Sequence, residues 1–412
     1  MERFGTRRFH VRRTPKVVRV GVARVWIATA VVASLILVSA SESSASTVPP
    51  AAKNNSNSAA VIPAHPLGPS LHLARVSGRT FDIRTDVHVL WWTGHRYHVA
   101  IGIARHAIDN GVQTPQSMCR STSGCVAATN ADFFAVGAPG TFDPGDSVGG
   151  IVRNCVLLHT PEISHQQVDL TTGAVSQGLE WSTTLDINGS SVPVTAINQM
   201  LPLSYSQVQL PLSGTLVYTP AYGQRTPSAA GRITYVFKDV RGTTTPTRIN
   251  STAQLMLVAR SLRSLKVKPG HVDISVPISS TLSVLAHGDV VTMSTASTAG
   301  CNNIGGHPIL LDQGVAIPID PADTALVRPY ARTALGWTST GATVIVTVDG
   351  RDGVSGATAY QLTALLESLH VITAIALDGG YSTSLYARGK TMNKPASGQE
   401  RPVATALLVL RG

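Results

Sequence analysis

The last seventy residues hold the pattern that most limits what this chain can become. Thr343–Val348 is an apolar, β-branched run, Ala359–Leu369 (AYQLTALLESL) repeats its apolar residues at helical spacing, and Val371–Leu377 is a second apolar run. Short apolar runs bounded by turn residues read as buried strands, and strand, helix and strand in that order form a crossover that returns the chain parallel to itself. Each strand ends in similar chemistry: Asp349-Gly350-Arg351-Asp352 after the first, Asp378-Gly379-Gly380-Tyr381-Ser382-Thr383 after the second. If the two strands are adjacent and parallel, Asp349 and Asp378 lie side by side at one sheet edge. Paired carboxylates of that kind are the usual equipment of glycosidic-bond cleavage, and strand carboxyl ends leading into helices commonly bind ligands. Asp-Gly is equally a plain tight turn.

Upstream the pattern is shorter and more broken. Phe81–Leu90, His98–Ala104 and Val126–Phe134 read as strands, the last leading into a turn-rich Gly137–Gly150. From 155 to 300, runs such as Leu216–Tyr218, Ile233–Lys238, Leu255–Ala259, Val272–Val276 and Val290–Met293 alternate with Pro and Gly. No repeat period of roughly 20–50 residues emerges, which argues against a solenoid or propeller. The expected fold class is therefore mixed α+β: a strand-rich single body over 71–412 with a carboxyl-terminal β-α-β unit.

The net charge of +10 comes mostly from the amino terminus. Residues 1–46 carry eight Arg or Lys and two Glu, which leaves +4 on the rest of the chain. That residual charge, with no later basic run interleaved with aromatics, gives no reason to expect nucleic acid as a partner. The basic stretch precedes a 16-residue apolar run, Val25–Ala40, and then Ser43-Ser44-Ala45. Such a run is shorter than the roughly 20 residues that span a bilayer, so 1–45 reads as a signal peptide, with an uncleaved anchor as the alternative. Residues 46–70, rich in Pro, Ala, Asn and Ser, read as a disordered linker. Four cysteines (Cys119, Cys125, Cys155, Cys301) in an exported chain imply two disulfides, with three connectivities open. The short Cys119–Cys125 separation makes that pair, with Cys155–Cys301, the expected one. The location read from these features is extracellular or cell-surface.

Walker, G-x-G-x-x-G, H-E-x-x-H and G-x-S-x-G motifs are absent from the sequence, and no cofactor is implied, a structural divalent cation aside. Three further groups carry candidate chemistry. Asn130-Ala131-Asp132-Phe133-Phe134 ends an apolar run, with an amide and a carboxylate two apart, a spacing that puts both on one strand face to hold a polyhydroxylated ligand. Asn and Asp also simply end strands. Gly305-Gly306-His307-Pro308 lets backbone approach a ligand closely, or only makes a loop. Arg332-Thr333 lies shortly upstream of Asp349, and Arg332 and Arg351 are the residue type that clamps phosphate with parallel hydrogen bonds.

Together these residues resemble the phosphodiester glycosidase family. The matching elements are Asn130-Ala-Asp-Phe-Phe, Gly305-Gly-His-Pro, Arg332-Thr-Ala-Leu-Gly, Val348-Asp-Gly-Arg, Leu377-Asp-Gly-Gly-Tyr-Ser-Thr and Asn393-Lys-Pro with Glu400-Arg-Pro-Val. The resemblance runs from about Val87 to the carboxyl terminus and is loose over 155–300. Asp132 and Tyr381 stand where many members have Gly. The resemblance implies hydrolysis between a sugar's anomeric carbon and a phosphodiester oxygen. It implies Asp378 and Asp349 as catalytic residues, and Asn130, Asp132, Gly306, Arg332, Thr333, Arg351, Gly379, Gly380, Ser382, Thr383 and Arg401 as substrate-binding ones. The substrate expected is a sugar phosphodiester or glycan, with no protein partner implied. The alternatives are a non-catalytic polysaccharide-binding surface protein and an exopolysaccharide glycosidase with no phosphate requirement.

Overall fold

The computed structural model describes residues 65–412 apart from 78–81, 84, 110, 137–144, 163, 200–213, 224, 243–244 and 352–354. The expected export signal, the linker as far as residue 64, and Asp352 lie outside the described residues. All that is described falls within one compact unit, Ser58–Gly412. Its first strand, His65–Gly68, pairs antiparallel with Leu71–Ser77.

The fold is predominantly β, which corrects the expected mixed α+β class. Among the described residues there are only three α-helices, Pro115–Arg120, Thr324–Val327 and Ala359–Ser368, against two eight-stranded and two five-stranded sheets. The reason lies in the middle of the chain, whose β-branched runs are too short and too often interrupted by Pro and Gly to reach helical length. They close instead into one eight-stranded sheet around Val217, Phe237, Leu255, Ile274 and Met293.

The sheet that positions the candidate site has, in its centre, the strands Asp86–Trp92, Thr343–Val348, Arg332–Thr338 and Val371–Ala376, in that spatial order. Strands 343–348 and 371–376 run parallel to each other, joined by the helix Ala359–Ser368. Strand 332–338 lies between them, antiparallel to both. The expected adjacency is thus corrected: the two Asp-Gly ends share an edge but stand two strand spacings apart, about 10 Å.

Period-two alternation divides the faces of this sheet. Leu335, Ile345 and Ile375 face a core shared with a five-stranded sheet (Leu385–Ala387, Cys125–Asn130, Thr405–Arg411 and Tyr97–Ile103 among its strands) through Ile101, Ala127 and Leu407. Ala334, Val346 and Ala374 face the other way, under Leu362 and Leu366 of the helix. That helix starts at a capping box, Thr358 with Gln361, which satisfies two amide groups the first turn would otherwise leave unpaired. Burying each leucine stabilises the docked helix by about 1.5–3 kcal/mol. The second five-stranded sheet, including Ile151–Arg153, Asn302–Gly305 and Gln167–Asp169, adds Ile151, Ile304 and Val168 to the shared core.

Disulfides join Cys119 to Cys125 and Cys155 to Cys301, the expected connectivity. Among the described residues no helix is long and apolar enough to cross a membrane.

Candidate active site

The site forms where strand ends from three sheets meet: Asn130, Gly305 and the Asp378 turn. Asn130 is fully buried, and its side chain is the fastening between two of them. Its Nδ2 donates to the Asp378 carbonyl at 2.6 Å, and its Oδ1 accepts from Thr333 Oγ1 at 2.9 Å and from the Ser384 amide at 3.2 Å. The Asp378 amide donates to the Ala131 carbonyl at 2.9 Å. Every one of these groups is a polar atom that would otherwise be orphaned in the core, so the turn has one position only.

Asp378 itself is half-buried, with its carboxylate bonded by the Ser382 hydroxyl and the Gly379 amide. Burial pushes its pKa up to about 6, against the lowering pull of Ser382 and of Arg401; the charge of Asp132 adds to the rise. Arg401 Nη1 donates to Ser382 Oγ at 3.3 Å, and its guanidinium lies 5.3 Å from the centre of the Phe134 ring. A carboxylate that titrates near neutrality, with an arginine beside it, can take a proton or attack an electrophilic carbon and can sit next to a bound anion.

Asp132 lies beneath this group, buried and saturated. Its Oδ1 accepts from the Phe133 amide at 2.8 Å and faces His165 Nε2 at 2.9 Å, while Oδ2 accepts from Ser147 Oγ at 3.0 Å and the Gly149 amide at 2.8 Å. A Cβ at Gly149 or Gly305 would collide with this carboxylate, so both positions must be glycine to admit it. Burial would lower the His165 pKa, but the charge and hydrogen bond of Asp132 outweigh it, and the net shift is upward. A second buried pair stands behind the first: His159 Nε2 is 2.9 Å from Asp146 Oδ1, and His159 Nδ1 bonds the Gly149 carbonyl at 3.1 Å. His165 packs edge-on to Phe133 and 6.3 Å from the ring of His307. Sequence reasoning missed His165 altogether, since it lies 33 residues from its partner in a segment with no motif.

The other expected site residues divide. Ser382 and Thr383 are buried in the Asp378 turn, with Thr383 Oγ1 3.4 Å from Thr333 Oγ1. The amide of Gly380 is spent on the Ala331 carbonyl and that of Gly306 on the Gln166 carbonyl. With Gly379 turned to the Asp378 carboxylate, none of the three amides points to a ligand. Arg332 turns away: strand alternation puts it on the helix-covered face, where Nε donates to the Ala357 carbonyl and Nη2 to those of Ala325, Leu326 and Arg328. Arg351 is exposed, its backbone paired with Ser355. Asp349 is not among the charges that act on Asp378; it belongs to a neighbouring cluster, accepting from the Lys394 amide at 3.0 Å with His88 Nδ1 at 3.9 Å. Burial raises its pKa to about 6 and lowers that of His88 to about 4.

Sequence comparison finds a family likeness over part of this strand-built site. A sequence model of the family described as phosphodiester glycosidase matches residues 238–410. The resemblance read from the sequence is borne out over that stretch, which holds Arg332, Asp349, Asp378, Ser382 and Arg401 but not Asn130, Asp132 or His165.

Individual relatives are more distant. Over 81 residues, 19% of this chain, it is 42% identical to an SPbeta prophage-derived uncharacterized protein, YomE, of Bacillus subtilis, and spans only 13% of that protein. A hypothetical protein from Synechocystis shares the fold at a TM-score of 0.63 and 20% identity, over 83% of this chain and 62% of that one. A putative exported protein of Burkholderia pseudomallei does so at 0.60 and 19%, over 79% of this chain and 74% of its own.

Proposed function

We propose that this chain is an exported phosphodiester glycosidase acting on cell-surface or extracellular glycans. The observation that carries the reading is the half-buried Asp378, poised near neutrality with Ser382 and Arg401 beside it, within the stretch that matches the family. The reaction makes modest demands. A phosphodiester oxygen is already a good leaving group, so the need is to stabilise an oxocarbenium-like sugar and the charge on the departing phosphate. The bond from the anomeric carbon to oxygen breaks, its electron pair leaves with the phosphate, and water supplies the new hydroxyl. Asp378 faces the anomeric carbon, as nucleophile or as base for that water.

Arg401 takes the phosphate-binding role first expected of Arg332, with the exposed Arg351 as a second cation on the same edge. Asp132 takes the partner role first expected of Asp349, acting through His165, whose charged form it favours. Asn130, Thr333 and Thr383 position the turn. Export is supported by the amino-terminal pattern and by two disulfides.

The test is hydrolysis of a panel of sugar-1-phosphodiesters in oxygen-18 water. The label should appear on the sugar, and Asp378→Asn should lower turnover by at least about 10²–10³ while leaving the melting curve in place. Label on phosphate, or full activity in Asp378→Asn, would reject the assignment.

A further inference from the structure

We propose that an open pocket of about 490 Å³ beside the site is a subsite for an uncharged sugar unit of the substrate. That this sugar belongs to the substrate rests on the phosphodiester glycosidase reading; sugar binding in the pocket does not. The pocket lies where the strands Gln167–Asp169 and Val175–Ser176 meet the turn at 298–300, and its size is that of ordinary small-ligand pockets. Asn303 in its wall is 5% exposed, and its Oδ1 has no hydrogen-bond partner among the described residues. A buried amide oxygen left unpaired is costly, and such an orphan on a pocket wall marks a place where a ligand hydroxyl completes the structure.

The remaining polar groups fix the ligand's chemistry. Asp169 and Glu180 also line the pocket, and each commits one oxygen within the fold: Asp169 Oδ1 accepts from the Thr171 amide at 2.8 Å, and Glu180 Oε2 from Thr298 Oγ1 at 3.2 Å. The second oxygen of each is an acceptor for hydroxyl donors. No Lys, Arg or His is among the lining residues, so two carboxylates repel phosphate and leave a neutral polyol as the fitting occupant. A metal ion is the weaker fit, because no group of three His, Cys, Asp or Glu residues that could hold one occurs among the described residues.

The pocket also continues from the catalytic group. Asn303 and Gly305 point to the same face of one strand two residues apart, about 7 Å, and Gly305 abuts the Asp132 carboxylate. Ser164, on the pocket wall, immediately precedes His165. A sugar neighbouring the reacting one is therefore within reach.

The experiment is calorimetric titration of the full chain with chitotetraose, maltotetraose and cellotetraose in EDTA, where no turnover is needed. At least one should bind saturably. Ala174→Trp, at an exposed position of the pocket wall, should weaken that binding by at least about tenfold and Glu180→Gln by about threefold. No saturable binding of any of the three, unchanged binding in Ala174→Trp, or binding only when calcium replaces EDTA overturns the proposal. The two readings fail separately. Oligosaccharide binding that Ala174→Trp abolishes, with no turnover of any phosphodiester, sinks the catalytic reading and supports sugar binding in the pocket.

Discussion

Asp378 has a pKa of about 6 because burial outweighs its polar neighbours: burial drives the value up, while Ser382 and Arg401 hold it from rising further. Removing the arginine lifts part of that restraint. Arg401→Gln should move the acid limb of kcat/KM upward by up to about one pH unit, because the charged form loses its nearest cation. It should also raise KM for a phosphodiester more than for an aryl glycoside, since only the first brings an anion. A pH profile of both substrates checks this, and coincident profiles would exclude Arg401 from phosphate binding. At this scale the sequence was half legible. An Asp-Gly-Gly after a fully apolar strand announces Asp378, because such a residue cannot stay in the strand. His165 was not legible, because its only distinguishing property is a contact with a carboxylate far away in the chain.

Elements decide what a legible residue does. Arg332 and Thr333 are neighbours, and both were expected to bind substrate. Alternation sends Thr333 to the Asn130 side and Arg332 to the side where Ala325, Leu326, Arg328 and Ala357 present their carbonyls. There the guanidinium ties the short helix Thr324–Val327 to the sheet. Arg332→Met should thus cost about 1–3 kcal/mol of stability by orphaning those carbonyls, and should leave KM for a phosphodiester nearly unchanged. A large KM effect at an unaltered melting temperature would restore Arg332 to the site. The disulfides also act at this scale. On chain entropy alone, losing Cys155–Cys301, with a separation of 146 residues, should cost about 5 kcal/mol, and losing Cys119–Cys125, with a separation of 6, about 2 kcal/mol. Denaturant unfolding of the paired Ser variants would reveal the order, and equal losses would mean that native strain outweighs loop length.

For the molecule as a whole, the buried Asp–His pairs link stability to pH. The pKa values of His159 and His165 are raised by their partners, so the stability they contribute is complete below the ordinary histidine value of 6.5 and is lost as pH rises through the folded value. The shifts of His88 and His307 are downward, so their effect on stability falls below the ordinary histidine value and does not oppose this trend at higher pH. Melting temperature should therefore fall as pH rises past neutrality, and His159→Gln should flatten the slope; a flat parent profile would contradict the pairing. The sequence by itself determined what depends on near neighbours. Strand positions, the capped helix, the turn chemistry at Asp378 and the family's carboxyl-terminal motifs follow from local periodicity and residue type. Tertiary structure alone decided which strand lies between the two Asp-Gly ends, and with it that Asp378 is coupled to Asp132 rather than to Asp349. It also decided that the middle of the chain closes as sheet, making the whole predominantly β. Strand order and side-chain burial depend on contacts between residues far apart in the chain. A local pattern specifies which residues seek such contacts but not which partner they reach.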